Sequence, residues 1–319
     1  GAGPTSGLVR AFNGTFYGTT GRGGANNLGT VFQVAANSEF STVYNGDSIV
    51  AAYTTPIQGG NGNLYGTSLR GGTNSDGAIF ELTPAGILTI LHSFNGADGQ
   101  TPFAGLVQGA DGAFYGNTNL GGVDDLGTIF RITPAGAFVK LHSFRGASGH
   151  YPDGYYPYAA LVAGSDGNLY GTTTAGGASG NGTIFRLTPK GEFTTLYSFD
   201  STAATNDSGG MFQATDGNFY GTLSSGGANS EGSVYRFSVG LSPFVKTLPA
   251  FGKVGSVIEI LGTDLTGASS VTFNGTSATF TIRSASLITA TVPAGATSGP
   301  VEVTTPSGAL LSNVAFSVR

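Results

Sequence analysis

Apolar and polar residues alternate in short runs along most of the chain, and one run recurs. In Ala78-Ile79-Phe80-Glu81-Leu82 the aromatic and the second aliphatic share one face, while the charged residue takes the other. A period of two predicts a strand. The same pattern returns as Thr30-Val31-Phe32-Gln33-Val34, Thr128-Ile129-Phe130-Arg131-Ile132, Thr183-Ile184-Phe185-Arg186-Leu187 and Ser233-Val234-Tyr235-Arg236-Phe237. Each copy follows a Tyr-Gly strand and a Gly-Gly pair. The tyrosines are Tyr17, Tyr65, Tyr115, Tyr170 and Tyr220, separated by 48, 50, 55 and 50 residues.

A third run ends at Tyr44-Asn45-Gly46, Phe94-Asn95-Gly96, Phe144-Arg145-Gly146 or Phe199-Asp200. A fourth, such as Gly105-Leu106-Val107-Gln108, passes through an Asp-Gly turn into the next tyrosine. Asp-Gly between apolar runs is a hairpin signal, because glycine accepts positive φ. Four strands in about 50 residues match one propeller blade. The expected fold is all-β, a five-bladed β-propeller over residues 1–240. The incomplete repeats at its two ends are expected to pair into one blade and close the ring, leaving no exposed edge.

Beyond Gly240 the repeat stops. Runs such as Val257-Ile258-Glu259-Ile260-Leu261, Val271-Thr272-Phe273 and Val301-Glu302-Val303-Thr304 predict a small β-sandwich over residues 241–319.

Composition narrows the function classes. Glycine contributes 55 of 319 residues, but at fixed offsets that mark turns rather than low complexity. Charged residues make up 10%, with 13 basic against 18 acidic and a net charge of -5. No basic stripe exists to displace counterions from phosphates, so nucleic acid is set aside. The chain has no cysteine, which excludes disulfides and cysteine metal sites. The start at Gly1 and the lack of an apolar run of membrane-spanning length suggest a processed product without a transmembrane segment.

The repeat resembles the GloVer (Gloeo/Verruco) tandem-repeat family of bacterial exported proteins. Residues 166 to 199 carry its pattern nearly intact, as Asp166-Gly167-Asn168-Leu169-Tyr170-Gly171-Thr172-Thr173, Gly176-Gly177, Gly182-Thr183-Ile184-Phe185-Arg186-Leu187-Thr188-Pro189 and Leu196-Tyr197-Ser198-Phe199. The first copy departs most, with Asn13-Gly14 in place of Asp-Gly. The C-terminal part is similar to an IPT/TIG immunoglobulin-like domain through Gly255 to Gly262, Val271 to Gly275 and Gly299-Pro300-Val301. The resemblance implies a repeat fold on an extracellular or bacterial cell-surface protein and carries no catalytic motif.

Candidate chemistry is sparse. His92 and His142 hold matching places, aligned with Thr42 and Tyr197 in other copies, which fits a packing position. The insertion Gly146 to Tyr158 brings Tyr151, Tyr155, Tyr156 and Tyr158 together with His150, and aromatic loops on a rigid scaffold suit sugar stacking or a protein contact. The loops after Gly-Gly hold Asp124 and Asp125 among other oxygen-bearing residues. Such loops can bind calcium, but no D-x-D-x-D-G array occurs, and turn building is the simpler account. Asn13, Asn181, Asn206 and Asn274 head N-glycosylation sequons. No carboxylate pair, nucleophile elbow or phosphate loop stands out.

These observations lead to an expectation of a non-enzymatic structural or adhesion protein with no cofactor. Its expected partners are protein subunits of a homo-oligomer or filament, or surface glycans. A lectin-like propeller and a secreted polysaccharide hydrolase or lyase are the alternatives.

Overall fold

The computed structural model describes residues 1–4, 6–47, 50–52, 54–146, 149–200, 210–227, 229 and 231–319. Among them there is no helix, and the fold is all-β. The chain divides into two compact units. One comprises Gly1–Ala163, Gly167–Met211 and Gly221–Tyr235, and the other Gly164–Asp166, Phe212–Tyr220 and Arg236–Arg319.

The repeats form successive antiparallel sheets, as in a β-propeller. The first sheet orders Val9–Arg10, Phe16–Thr20, Thr30–Val34 and Phe40–Asn45 side by side. The third and fourth run in the same way, from Val107–Gln108 to Phe138–Ser143 and from Val162–Ala163 to Phe193–Ser198. The second gains an extra strand, Val50–Ala52, on its long Leu64–Gly71 strand. The fifth has three strands, Met211–Gln213, Phe219–Leu223 and Ser233–Phe237.

This frame differs from the expected one by one strand. The Leu-Val run begins each sheet instead of ending the preceding one, since Val107 pairs with Tyr115 and Val162 with Tyr170. The N-terminal segment is already in phase. Ala2 bridges Arg22 just as Gln100 bridges Leu120 and Tyr155 bridges Ala175. The first sheet is therefore complete from its own residues, and among the described residues no sheet joins the two ends of the array. The expectation that two partial pieces make one blade is corrected on this point.

The register explains the Tyr-Gly motif. Gly18, Gly66, Gly116 and Gly171 face Phe32, Phe80, Phe130 and Phe185 across the second and third strands. The phenylalanine ring folds over its partner's backbone. A Cβ on Gly66 would lie 2.6 Å from the Phe80 ring, and one on Gly116 2.5 Å from the Phe130 ring. Any side chain there displaces the ring from the core. A bulge follows in each of the first four blades, between Val31/Phe32, Ile79/Phe80, Ile129/Phe130 and Ile184/Phe185, and it increases the local twist.

Both faces of an internal blade are buried. On one lie the motif tyrosine and the aliphatic before the phenylalanine; on the other lie that phenylalanine, the next aliphatic and the residue before the tyrosine. Tyr17 and Val31 pack on Leu64, Phe80 and Leu82 of the next blade. Tyr65, Ile79 and Phe94 pack on Phe114, Phe130 and Ile132. Tyr115, Ile129 and Phe144 pack on Leu169, Phe185 and Leu187.

A buried polar latch accompanies each of these junctions. Thr19 Oγ1 donates to the Thr54 carbonyl at 3.2 Å, Thr67 Oγ1 to that of Ala104 at 2.9 Å, and Asn117 Nδ2 to that of Ala159 at 2.8 Å. Each acceptor lies just ahead of the next blade's first strand.

The second unit holds two four-stranded antiparallel sheets. One orders Lys246–Leu248, Val257–Leu261, Leu287–Thr291 and Phe280–Ser284; the other orders Thr276–Ser277, Ser270–Phe273, Val301–Thr305 and Gly308–Leu311. Their alternating residues, including Ile258, Ile260, Val271, Phe273, Ile288, Val301 and Val303, share one apolar core.

Two substitutions test this account. Gly116→Ala is expected to cost about 1–3 kcal/mol, the usual penalty of overpacking, read from denaturant unfolding. Thr67→Val keeps the volume but strands the buried Ala104 carbonyl, with an expected loss of about 1–3 kcal/mol in the same measurement.

Candidate functional site

The Asp-Gly turns build a repeated polar cluster. Asp111 Oδ1 accepts the Ala113 amide, while Oδ2 accepts the Tyr115 hydroxyl at 3.0 Å and Arg131 Nη2 at 2.8 Å. Tyr115 and Arg131 are cross-strand partners, so the sheet register delivers both to the turn. Burial pushes the Asp111 carboxyl up, but the hydrogen bonds from Arg131 and Tyr115 outweigh it and hold it below the ordinary value.

The second blade keeps this geometry and reverses the charge. Asn61 replaces the aspartate and Glu81 the arginine, and the Tyr65 hydroxyl now donates to Glu81 Oε1 at 2.6 Å. Asn63 Nδ2 also donates to that oxygen, at 2.7 Å. The Tyr65 bond, followed by the Asn63 bond, draws the Glu81 carboxyl down, while burial and the Glu81 bond push the Tyr65 phenol up to about 12. Wherever the turn holds aspartate (111, 166, 216), the cross-strand residue is arginine (131, 186, 236); asparagine at 13 or 61 goes with Gln33 or Glu81. Glu81 is thus part of a structural network.

The histidines also form repeated pairs. His92 Nε2 lies 3.1 Å from Asp98 Oδ2, and its ring stacks on Phe138 at 3.7 Å between centroids. His142 lies 3.3 Å from Asp153 without hydrogen-bond alignment and stacks on Phe193 at 4.0 Å. Burial lowers the His92 pKa, against the opposing pull of Asp98. The two aspartates hold their loops to the next blade, since their carbonyls accept Thr128 Oγ1 and Thr183 Oγ1 at 3.0 Å each. The packing role read from the sequence agrees with these contacts, but the equivalence with Thr42 does not. Ile79 pairs with His92 whereas Val31 pairs with Tyr44, so Tyr44 is the matching residue in the first blade.

Asp124 and Asp125 are employed in holding backbone amides of the loops. Asp124 Oδ2 accepts the Gly146 amide at 3.1 Å, and Asp125, at φ 58°, returns Oδ1 to the Gly121 amide at 2.7 Å. Among the described residues, no group of three or more His, Asp or Glu side chains could hold a metal ion.

The four tyrosines of the insertion separate into two kinds. Tyr151, Tyr155 and Tyr156 are half-buried against the core shared by Tyr115, Ile129 and Phe185, with Tyr155 tilted against Tyr151 and edge to face with Tyr156. Tyr158 is 40% exposed and lies on Phe103 with ring centroids 4.9 Å apart. Phe103 was not singled out in the sequence, though it precedes Tyr158 by the same 55 residues that separate Tyr115 from Tyr170. Tyr53 holds the same place in the second repeat and lies outside the described residues.

Of the sequon residues, Asn13 is exposed at a turn, where Oδ1 accepts the Thr15 amide. Asn274 Nδ2 donates to Thr297 Oγ1 at 2.8 Å. The Nδ2 of Asn181 is buried, which removes the atom that a glycan would join. Asn206 lies outside the described residues.

The turn cluster generates a pH-linked expectation. A carboxylate whose folded pKa is depressed stabilises the fold above its unfolded value, about 4, and that contribution is lost as pH falls through the folded pKa. Melting temperature should therefore drop on acidification below about pH 4, and Asp111→Asn should flatten part of the drop. At neutral pH, Asp111→Asn and Arg131→Glu should each destabilise by about 1 kcal/mol, with the double variant recovering part of the loss by reproducing the second blade's chemistry. Strict additivity in that cycle would refute the coupling.

Among solved structures, the chain is similar to a gluconolactonase from Xanthomonas campestris at 13% identity, covering 92% of this chain and 87% of that one with a TM-score of 0.46. It is similar to the periplasmic gluconolactonase of Pseudomonas aeruginosa at 15% identity, covering 94% and 88% with a TM-score of 0.44. A luciferin-regenerating enzyme matches at 13% identity over 76% and 81%, with a TM-score of 0.46. These proteins are enzymes by name, which overturns the expectation of a non-enzymatic chain, and that expectation is withdrawn. At such identities and scores their activities are not transferred to this chain. No curated protein matches it. The model of the Gloeobacter/Verrucomicrobia repeat, by contrast, matches residues 1–110 and 52–286. Because those matches span most of the sequence, the chain belongs to the Gloeobacter/Verrucomicrobia repeat family.

Proposed function

We propose that this chain is an extracellular or cell-surface adhesion protein that binds glycans through the aromatic pair Phe103 and Tyr158. In this reading the five repeats are blades of a propeller scaffold, and residues 241–319 are an IPT/TIG-type immunoglobulin-like spacer or docking module. The low charge of the chain and the export implied by the family resemblance support an extracellular setting.

The observation that carries the reading is the stack itself. A tyrosine 40% exposed on a second ring offers a flat apolar face with a polar tip. The axial C–H face of a pyranose matches such a platform, and tyrosine loses little rotamer entropy on binding.

A glycan array followed by calorimetric titration of the best ligand tests it. Tyr158→Ala is expected to weaken binding about tenfold, equivalent to about 1.4 kcal/mol, with an unchanged circular dichroism spectrum. Absence of any glycan ligand, or equal affinity of Tyr158→Ala and wild type, refutes the proposal.

A further inference from the structure

The two ends of the repeat array leave uncovered the two faces that every internal junction buries against each other. In the first blade, Leu8 is 56% and Phe16 38% exposed. Their counterparts Leu106, Leu161, Leu64, Phe114 and Leu169 are all buried. Phe32 and Val34 are half-buried, where Phe80, Phe130, Leu82 and Ile132 are buried, and Phe40 on the same face is exposed. At the other end, Val234 is 77% exposed, although Ile79, Ile129 and Ile184 at the same repeat position are buried. Thr222 is exposed too, where Thr19, Thr67, Asn117 and Thr172 are buried.

We propose that a second copy of this chain covers these faces, the first blade of one copy packing on the fifth blade of the next. The occupant follows from the internal junctions. Three times within the chain the Tyr/Ile face of one blade meets the Phe/Leu face of the following blade, and the exposed ends present one half of that interface each. The fit is to a neighbour of the same repeat chemistry, and a second copy supplies it at both ends.

Because the two surfaces differ, the association is heterologous. It propagates head to tail as a chain of copies, or closes as a ring if the rotation per copy allows. This inference stands apart from the glycan reading and uses none of its residues.

Light scattering and analytical ultracentrifugation of the whole chain over a wide concentration range test it, with Phe16→Asp and Val234→Asp as end-face variants. Both positions are exposed, and unchanged melting curves confirm that the variants fold. The wild type is expected to grow in mass with concentration, and each variant alone to stay monomeric. An equimolar mixture of the two is expected to stop at dimers, since Phe16→Asp retains an intact fifth-blade face and Val234→Asp an intact first-blade face. A wild type that is monomeric throughout, variants that associate as wild type does, or a mixture without dimers overturns the proposal. If a variant misfolds, Leu8→Glu replaces Phe16→Asp, or Thr222→Glu replaces Val234→Asp, under the same criteria.

Discussion

The burial of one blade's Tyr/Ile face by the Phe/Leu face of the next is the constraint on which this structure depends. A single sheet of four short strands has two apolar faces and no core of its own. Each isoleucine or phenylalanine taken out of water contributes about 1.5–3 kcal/mol. That contribution exists only where a neighbouring sheet supplies the opposite wall, so the repeats stabilise one another or not at all. The latches from Thr19, Thr67 and Asn117 satisfy the polar groups that this burial would otherwise strand.

Much of the repeat's sequence follows from that constraint. The glycine after each motif tyrosine makes room for the cross-strand ring, which then reaches the junction. Two positions beyond the glycine, three blades set threonine opposite threonine, and Thr20/Thr30, Thr118/Thr128 and Thr173/Thr183 hydrogen bond through their hydroxyls in the core. The second blade has Ser68 opposite Ala78 and leaves the Ser68 hydroxyl without a partner. The packing positions vary little, while the turn cluster changes charge from blade to blade. A half-exposed cluster tolerates this because the hydrogen-bond count, more than the sign of any one charge, sets its stability.

The all-β repeat and its spacing were legible in the sequence, because a period of two and a returning Tyr-Gly leave little room for another fold. The strand that opens each sheet was not. Gly105 to Gln108 lies between two blades along the chain, and only the pairing of Val107 with Tyr115 assigns it. The alignment of Tyr44-Asn45-Gly46 with Phe94-Asn95-Gly96 failed for a similar reason. Asn-Gly suits a turn in either frame, yet the Gly46 amide bonds Gly29 where the Phe94 amide bonds Gly77, so the first blade is two residues out of step with the apparent match.

The candidate residues show the same division between pattern and geometry. Four tyrosines in one insertion drew attention by their number, but number does not separate rings that fill a junction from one that faces water. The distinguishing signal was position within the repeat. Tyr155 and Tyr156 correspond to Gln100 and Thr101, whose backbone joins neighbouring strands, whereas Tyr158 corresponds to Phe103, ahead of the strand that starts at Val107. Residues placed by the backbone pairing of every repeat are constrained to serve the scaffold. An aromatic that recurs outside those backbone bridges, with its ring partly open to water, carries no such duty, and it is there that selection for a ligand can act without disturbing the junctions.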